Sequence, residues 1–117
     1  MRLAADLVTG CVAAAHLWFL VLEMFLWTTP YGLKTFRQTR EAAEASKSLA
    51  MNQGLYNGFL AAGLAWGLAA GLPQVKLFFL GCVLVAGVFG GLTASRAILF
   101  VQALPALIGL GLQLLSR

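Results

Sequence analysis

The chain has 117 residues, 61% of them hydrophobic and only 10% charged, with a mean hydropathy of +0.88. Soluble domains carry about a quarter charged residues, so this composition excludes an ordinary soluble domain and indicates an integral membrane protein with one domain over 1–117. The net charge of +4 comes from Arg2, Lys34, Arg37, Arg40, Lys47, Lys76, Arg96 and Arg117 outnumbering the acids. These sit where apolar runs stop, as membrane-flanking charge does, and form no stripe for nucleic acid.

The expected fold is all-α: a four-helix transmembrane bundle with helices at about 5–28, 40–72, 77–94 and 97–115, and a polar amphipathic connection between the first two. The first apolar run is long enough to cross a bilayer, since about 20 residues at 1.5 Å each span roughly 30 Å. Arg2 ahead of Ala13-Ala14-Ala15 has the look of a signal peptide, but the run continues past those alanines through His16 and Glu23 and reads as retained. Thr29-Pro30-Tyr31-Gly32 ends it as a turn. In the connection YGLKTFRQTREAAEASKS, Thr39 is a candidate N-cap, and Glu44 and Lys47 have i,i+3 spacing.

The second helix ends at Gly71-Leu72-Pro73, and only Ser95 and Arg96 join the third to the fourth, which implies an antiparallel hairpin. Pro105 removes a backbone donor and predicts a kink in the fourth. Gly63, Gly67 and Gly71, and Gly87 with Gly91, form small-residue stripes that let helices approach closely, within the chain or in a homodimer. Cys11 and Cys82 lack CxxC or CxxH spacing and read as small buried hydrophobes. No metal site and no cofactor is expected.

Four crossings put both termini on one side. The connections carry Lys34, Arg37, Arg40, Lys47 and Arg96, against Arg2, Lys76 and Arg117 on the other face. The positive-inside rule then places both connections in the cytoplasm and both termini outside.

Glu23 and His16 are the polar interruptions of the first span, and such side chains normally face a bundle interior or a cavity. Counting depth along each helix places Glu23, Gln53, Thr93 and Gln102 in one layer near the connection side, with Tyr56 and Asn57 one turn deeper and Arg96 at the rim. Asn52, Gln53, Tyr56 and Asn57 follow the i, i+1, i+4, i+5 spacing of one helix face. His16 lies seven residues before Glu23 on the same face, about 10.5 Å away along the axis. An ionised Glu23 needs a partner at that depth, and Arg96 is the nearest candidate, with Lys34 and Lys47 as flexible alternatives. Trp18, Trp27, Tyr31 and Trp66 suit interface anchors, and Trp27 is also placed to wall a pocket beside Glu23. The competing reading of the amides is interhelical hydrogen-bond glue, worth about 0.6 kcal/mol per contact.

The runs HLWFLVLEMFLWTTP, NQGLYNGFLAAGLAWG and GVFGGLTASRAILFVQALPALIGL resemble the DUF1304 family of small bacterial membrane proteins over nearly the whole chain. The resemblance implies a four-helix membrane protein of about this length and lends no activity. The positions it shares include His16, Glu23, Asn52, Gln53, Tyr56, Asn57, Thr93, Gln102 and Pro105. Small multidrug transporters are similar in architecture alone, through their size and membrane carboxylate.

Three functions compete. In the first, His16, Glu23, Trp27, Asn52, Gln53, Tyr56, Asn57, Thr93, Arg96 and Gln102 line a site that binds or carries a small amphipathic or cationic molecule. In the second, Glu23 and His16 exchange protons in an isomerase-like enzyme acting on a lipid or isoprenoid. In the third, the chain is an accessory subunit docked on a larger membrane partner. No nucleophile motif or nucleotide fingerprint supports covalent or phosphoryl chemistry.

Overall fold

A computed structural model describes all 117 residues and is helical throughout, with no strand. Its elements are α1 (Arg2–Met24), α2 (Pro30–Phe36), α3 (Arg40–Ala45), α4 (Lys47–Ala70), α5 (Pro73–Thr93) and α6 (Leu104–Leu115), with a π-helical turn at Leu99–Ala103 leading into α6. Two of these, Arg2–Met24 and Pro73–Thr93, are long and apolar enough to cross a membrane. α4 is as long, but Asn52, Gln53 and Asn57 dilute its apolar character, and the helix Leu99–Leu115 is shorter.

The connection after α1 departs from the single polar extension expected. Pro30 opens α2 behind the N-cap Thr29, whose hydroxyl accepts from Gly32 N at 3.2 Å. Arg37 closes it in the left-handed region (φ 53°, ψ 49°), with Gln38 N donating to Leu33 O at 3.0 Å. Thr39 caps α3 as expected, accepting from Ala42 N at 3.1 Å. The helix then breaks at Ser46 (φ −104°, ψ 8°), whose hydroxyl donates to Ala42 O at 2.8 Å. The expected helix over 40–72 is therefore split. Glu44 and Lys47 form no ion pair, because the break removes their common helical register.

α4 ends at Gly71, whose φ of +64° is the left-handed C-terminal geometry that glycine adopts without steric cost. Pro73 follows as the first residue of α5. The irregularity expected at Pro105 appears one turn earlier. The π turn re-routes hydrogen bonds, with Leu104 N reaching Leu99 O, just ahead of the proline that has no N–H to give.

The chain forms two compact units, Met1–Ala14 with Leu60–Arg117, and Ala15–Phe59. In the first, Val12, Leu64, Leu80, Val83 and Ala106 bring four helices around one core. α5 and the final helix run antiparallel: Gly91 meets Leu99, Gly87 meets Ala103 and Gly109 meets Leu80. Gly63 likewise packs on Phe79, and Gly67 on Lys76, while Gly71 has nothing within 4 Å. A Cβ on Gly87 would lie 2.5 Å from the Ala103 nitrogen, an approach open to no other residue. Cys82 is half-buried here, whereas Cys11, expected inside, is exposed because the buried stripe of α1 runs through Ala5, Thr9 and Val12.

In the second unit α1 and α4 also pack antiparallel, with Gly58 against Leu20 and Gly54 against Met24. Trp27 stacks on Phe36 at 4.7 Å and donates Nε1–H to Ser46 Oγ at 3.1 Å, tying α2 and the Ser46 break to the end of α1. Arg40 reaches back to Thr28 O at 3.5 Å.

In both units polar side chains lie among the apolar residues of the interior, and large apolar side chains lie on the surface. Thr9, His16, Asn57, Lys76 and Gln113 are buried, while Leu3, Phe25, Phe59, Phe78, Phe89 and Leu92 are each more than half exposed.

Candidate functional site

In the second unit the buried face of α4 reads Ala50, Gly54, Asn57 and, continuing along the helix, Ala61 and Leu64, the four-three spacing of a helix seam. Small residues choose that face. A Cβ on Gly54 would meet Met24 Cγ at 2.6 Å and Glu23 Cβ at 3.2 Å, so the glycine brings the two backbones close. One turn on, Asn57 then reaches Glu23, its Nδ2–H donating to Oε1 at 2.5 Å. Asn57 is 8% exposed and Glu23 is half-buried. Glu23 has no ion pair, since the chain's single salt bridge lies elsewhere. The carboxylate is thus held by an amide and carries no compensating cation.

The other predicted residues take separate positions. Asn52, Gln53 and Tyr56 are exposed, off the seam, and Tyr56 faces Phe59 at 6.0 Å. Trp27 is tied to Ser46 and Phe36. His16 is 1% exposed and meets Phe19 edge-on at 5.0 Å. Thr93, Arg96 and Gln102 belong to the first unit. There Thr93 is exposed and its hydroxyl donates to Phe89 O at 2.7 Å within its own helix. Arg96 is exposed in the link before the π turn, in no ion pair, and Gln102 is half-buried on that turn.

A polar cluster in the first unit escaped the sequence reading. Lys76, placed by sequence at a solvent rim, is buried and its Nζ pairs with Asp6 Oδ1 at 3.0 Å. Gln113, 4% exposed, donates to the same oxygen at 3.0 Å and to Thr9 Oγ1 at 3.0 Å, and Thr9 donates to Ala5 O at 2.8 Å. The spacing carries a signal for it: Asp6 near the start of α1, Lys76 in the first turn of α5 and Gln113 in the last turn of α6 share one depth. Open apolar grooves run along α5, one lined by Leu77, Phe78, Cys82, Val85 and Phe89, another reaching Thr93.

Helices with large apolar side chains on their surface, two of them long and apolar enough to cross a membrane, define a small all-helical protein. The chain belongs to the family described as protein of unknown function, DUF1304, whose model matches residues 10–114. It is 29% identical over 115 residues to the uncharacterized protein YpaA of Lactococcus lactis subsp. lactis (strain IL1403), covering 94% of this chain and 96% of that one. No solved structure matches.

Proposed function

We propose that the chain is a four-span protein of the bacterial cell membrane that binds or carries a small amphipathic or cationic molecule at Glu23. The exposed apolar side chains support the membrane placement: Phe25, Phe59, Phe78 and Phe89 are each more than half exposed, which costs free energy in water and none in lipid. α1 and α5 each have the length and composition for a crossing. The lower hydropathy of α4 follows from Asn57, which is buried, and from Asn52 and Gln53, which sit in its first two turns near the interface. Both connections face the cytoplasm in this reading. The basic count favours that side by five against three.

The observation that carries the ligand reading is Glu23 itself, a half-buried carboxylate fixed by Asn57 with no cation beside it. Such a group attracts an organic cation by its uncompensated negative charge. The test is thermal unfolding in neutral detergent against a panel of quaternary ammonium and amphipathic amine compounds. Stabilisation by a member of the panel, lost in Glu23→Gln, supports the reading; stabilisation that persists in Glu23→Gln removes Glu23 from the site.

A further inference from the structure

We infer that the segment 34–40 is a binding surface for the phosphate of an anionic phospholipid headgroup, an assignment that rests on the membrane placement proposed above. The run KTFRQTR holds Lys34, Arg37 and Arg40 and no acid. All three basic residues are exposed, and none is in an ion pair. They crowd around a three-residue linker, because α2 ends at Phe36 and α3 begins at Arg40. Glu41 and Glu44 follow in α3 and Lys47 opens α4, leaving four basic residues to two acidic over 34–47.

Two details mark this linker as more than a solvated turn. Arg37 occupies the left-handed position (φ 53°) that glycine or asparagine normally fills, a strained placement for a long side chain. Beside it, Gln38 turns inward with its Nε2 enclosed by the chain, while Arg37 and Arg40 stay exposed. Guanidinium groups bind phosphate oxygens through paired hydrogen bonds, which gives Arg37 and Arg40 the matching chemistry.

The choice of a lipid over a soluble phosphate comes from the neighbouring rings. Tyr31, in α2, is 55% exposed and lies 6.3 Å from Trp18, itself 45% exposed, and Phe36 is exposed on the same short helix. Amphipathic rings beside basic groups are the pattern of the headgroup layer, where rings sit at the acyl boundary and cations meet phosphate. A soluble anion leaves those rings without a role.

The experiment uses the full chain in nanodiscs of phosphatidylcholine with or without phosphatidylglycerol, scored by native mass spectrometry of retained lipid and by thermal unfolding. Phosphatidylglycerol is expected to be retained preferentially and to raise the unfolding temperature. Each basic residue removed lowers that preference about fivefold. Arg37→Gly is the key variant: glycine suits the left-handed position, so it keeps or improves stability in neutral detergent while losing lipid preference. Arg37→Lys retains most of the preference, and the combination Lys34→Gln, Arg37→Gly and Arg40→Gln abolishes it. Unchanged preference in the triple variant overturns the assignment, as does equal stabilisation by inorganic phosphate in phosphatidylcholine discs. Failure of the membrane placement looks different, because the protein then stays outside the discs whatever their lipid.

Discussion

Lys76 and Asp6 form the single ion pair of the chain, Nζ to Oδ1 at 3.0 Å, and it joins the first turn of α5 to α1. The lysine side chain is only 7% exposed, whereas that of aspartate is 37% exposed. This asymmetry sets the expected effects of breaking the pair. Asp6→Ala strands a buried ammonium, and removing one partner of a buried pair costs about 3–5 kcal/mol. Lys76→Met leaves an aspartate that still accepts from Gln113 and still reaches solvent, so its cost is smaller. Replacing both recovers much of the loss from Asp6→Ala. Thermal unfolding of the three variants in detergent checks the order, and equal losses from both single changes contradict it.

Gln113 spends both amide protons, one on Asp6 and one on Thr9, and is itself buried. Gln113→Leu leaves Thr9 with its bond to Ala5 O and Asp6 with Lys76, so no charge is stranded. The expected loss is about 1–2 kcal/mol, below that of Asp6→Ala. A loss equal to that of Asp6→Ala would show that Gln113, and not the ion pair, organises the cluster.

Much of the helix layout was legible because hydropathy and turn residues fix it locally. Thr29-Pro30, Thr39 and Gly71-Leu72-Pro73 carry their capping chemistry in the sequence. The break at Ser46 was not legible, since a serine within REAAEASKS has ordinary helix propensity and its partner Trp27 lies 19 residues away in sequence. The polar site was legible only in part. Four spaced polar residues on α4 suggested one shared face, but helix contact is chosen by Gly54, Ala61 and Leu64, and only Asn57 lies on that seam. The cluster at Lys76 was missed because a lysine next to a turn reads as solvated until its partners on other helices are known.

The glycines make a graded set of close approaches. A Cβ at Gly87 meets the Ala103 backbone at 2.5 and 2.8 Å, and backbone atoms cannot step aside. At Gly54 the nearest atom is Met24 Cγ, on a flexible side chain, and at Gly81 there is nothing within 4 Å. Among these three, alanine substitution is therefore expected to destabilise most at Gly87, by about 1–3 kcal/mol, less at Gly54 and not at Gly81. Unfolding temperatures in one detergent decide the ranking.

Asn57 and Glu23 separate stability from binding. Glu23→Gln retains an oxygen that accepts from Asn57 Nδ2–H, so the contact between α1 and α4 survives while the charge is lost. Asn57→Leu instead leaves a half-buried carboxylate with no protein donor, at a cost of about 1–3 kcal/mol. The expected pattern is a Glu23→Gln protein that unfolds within a few degrees of the unmodified chain yet shows no shift with any organic cation. Asn57→Leu unfolds earlier but keeps a cation shift, because its carboxylate still attracts positive charge. A Glu23→Gln protein as unstable as Asn57→Leu makes the carboxylate structural and moves the search for a ligand elsewhere on the chain.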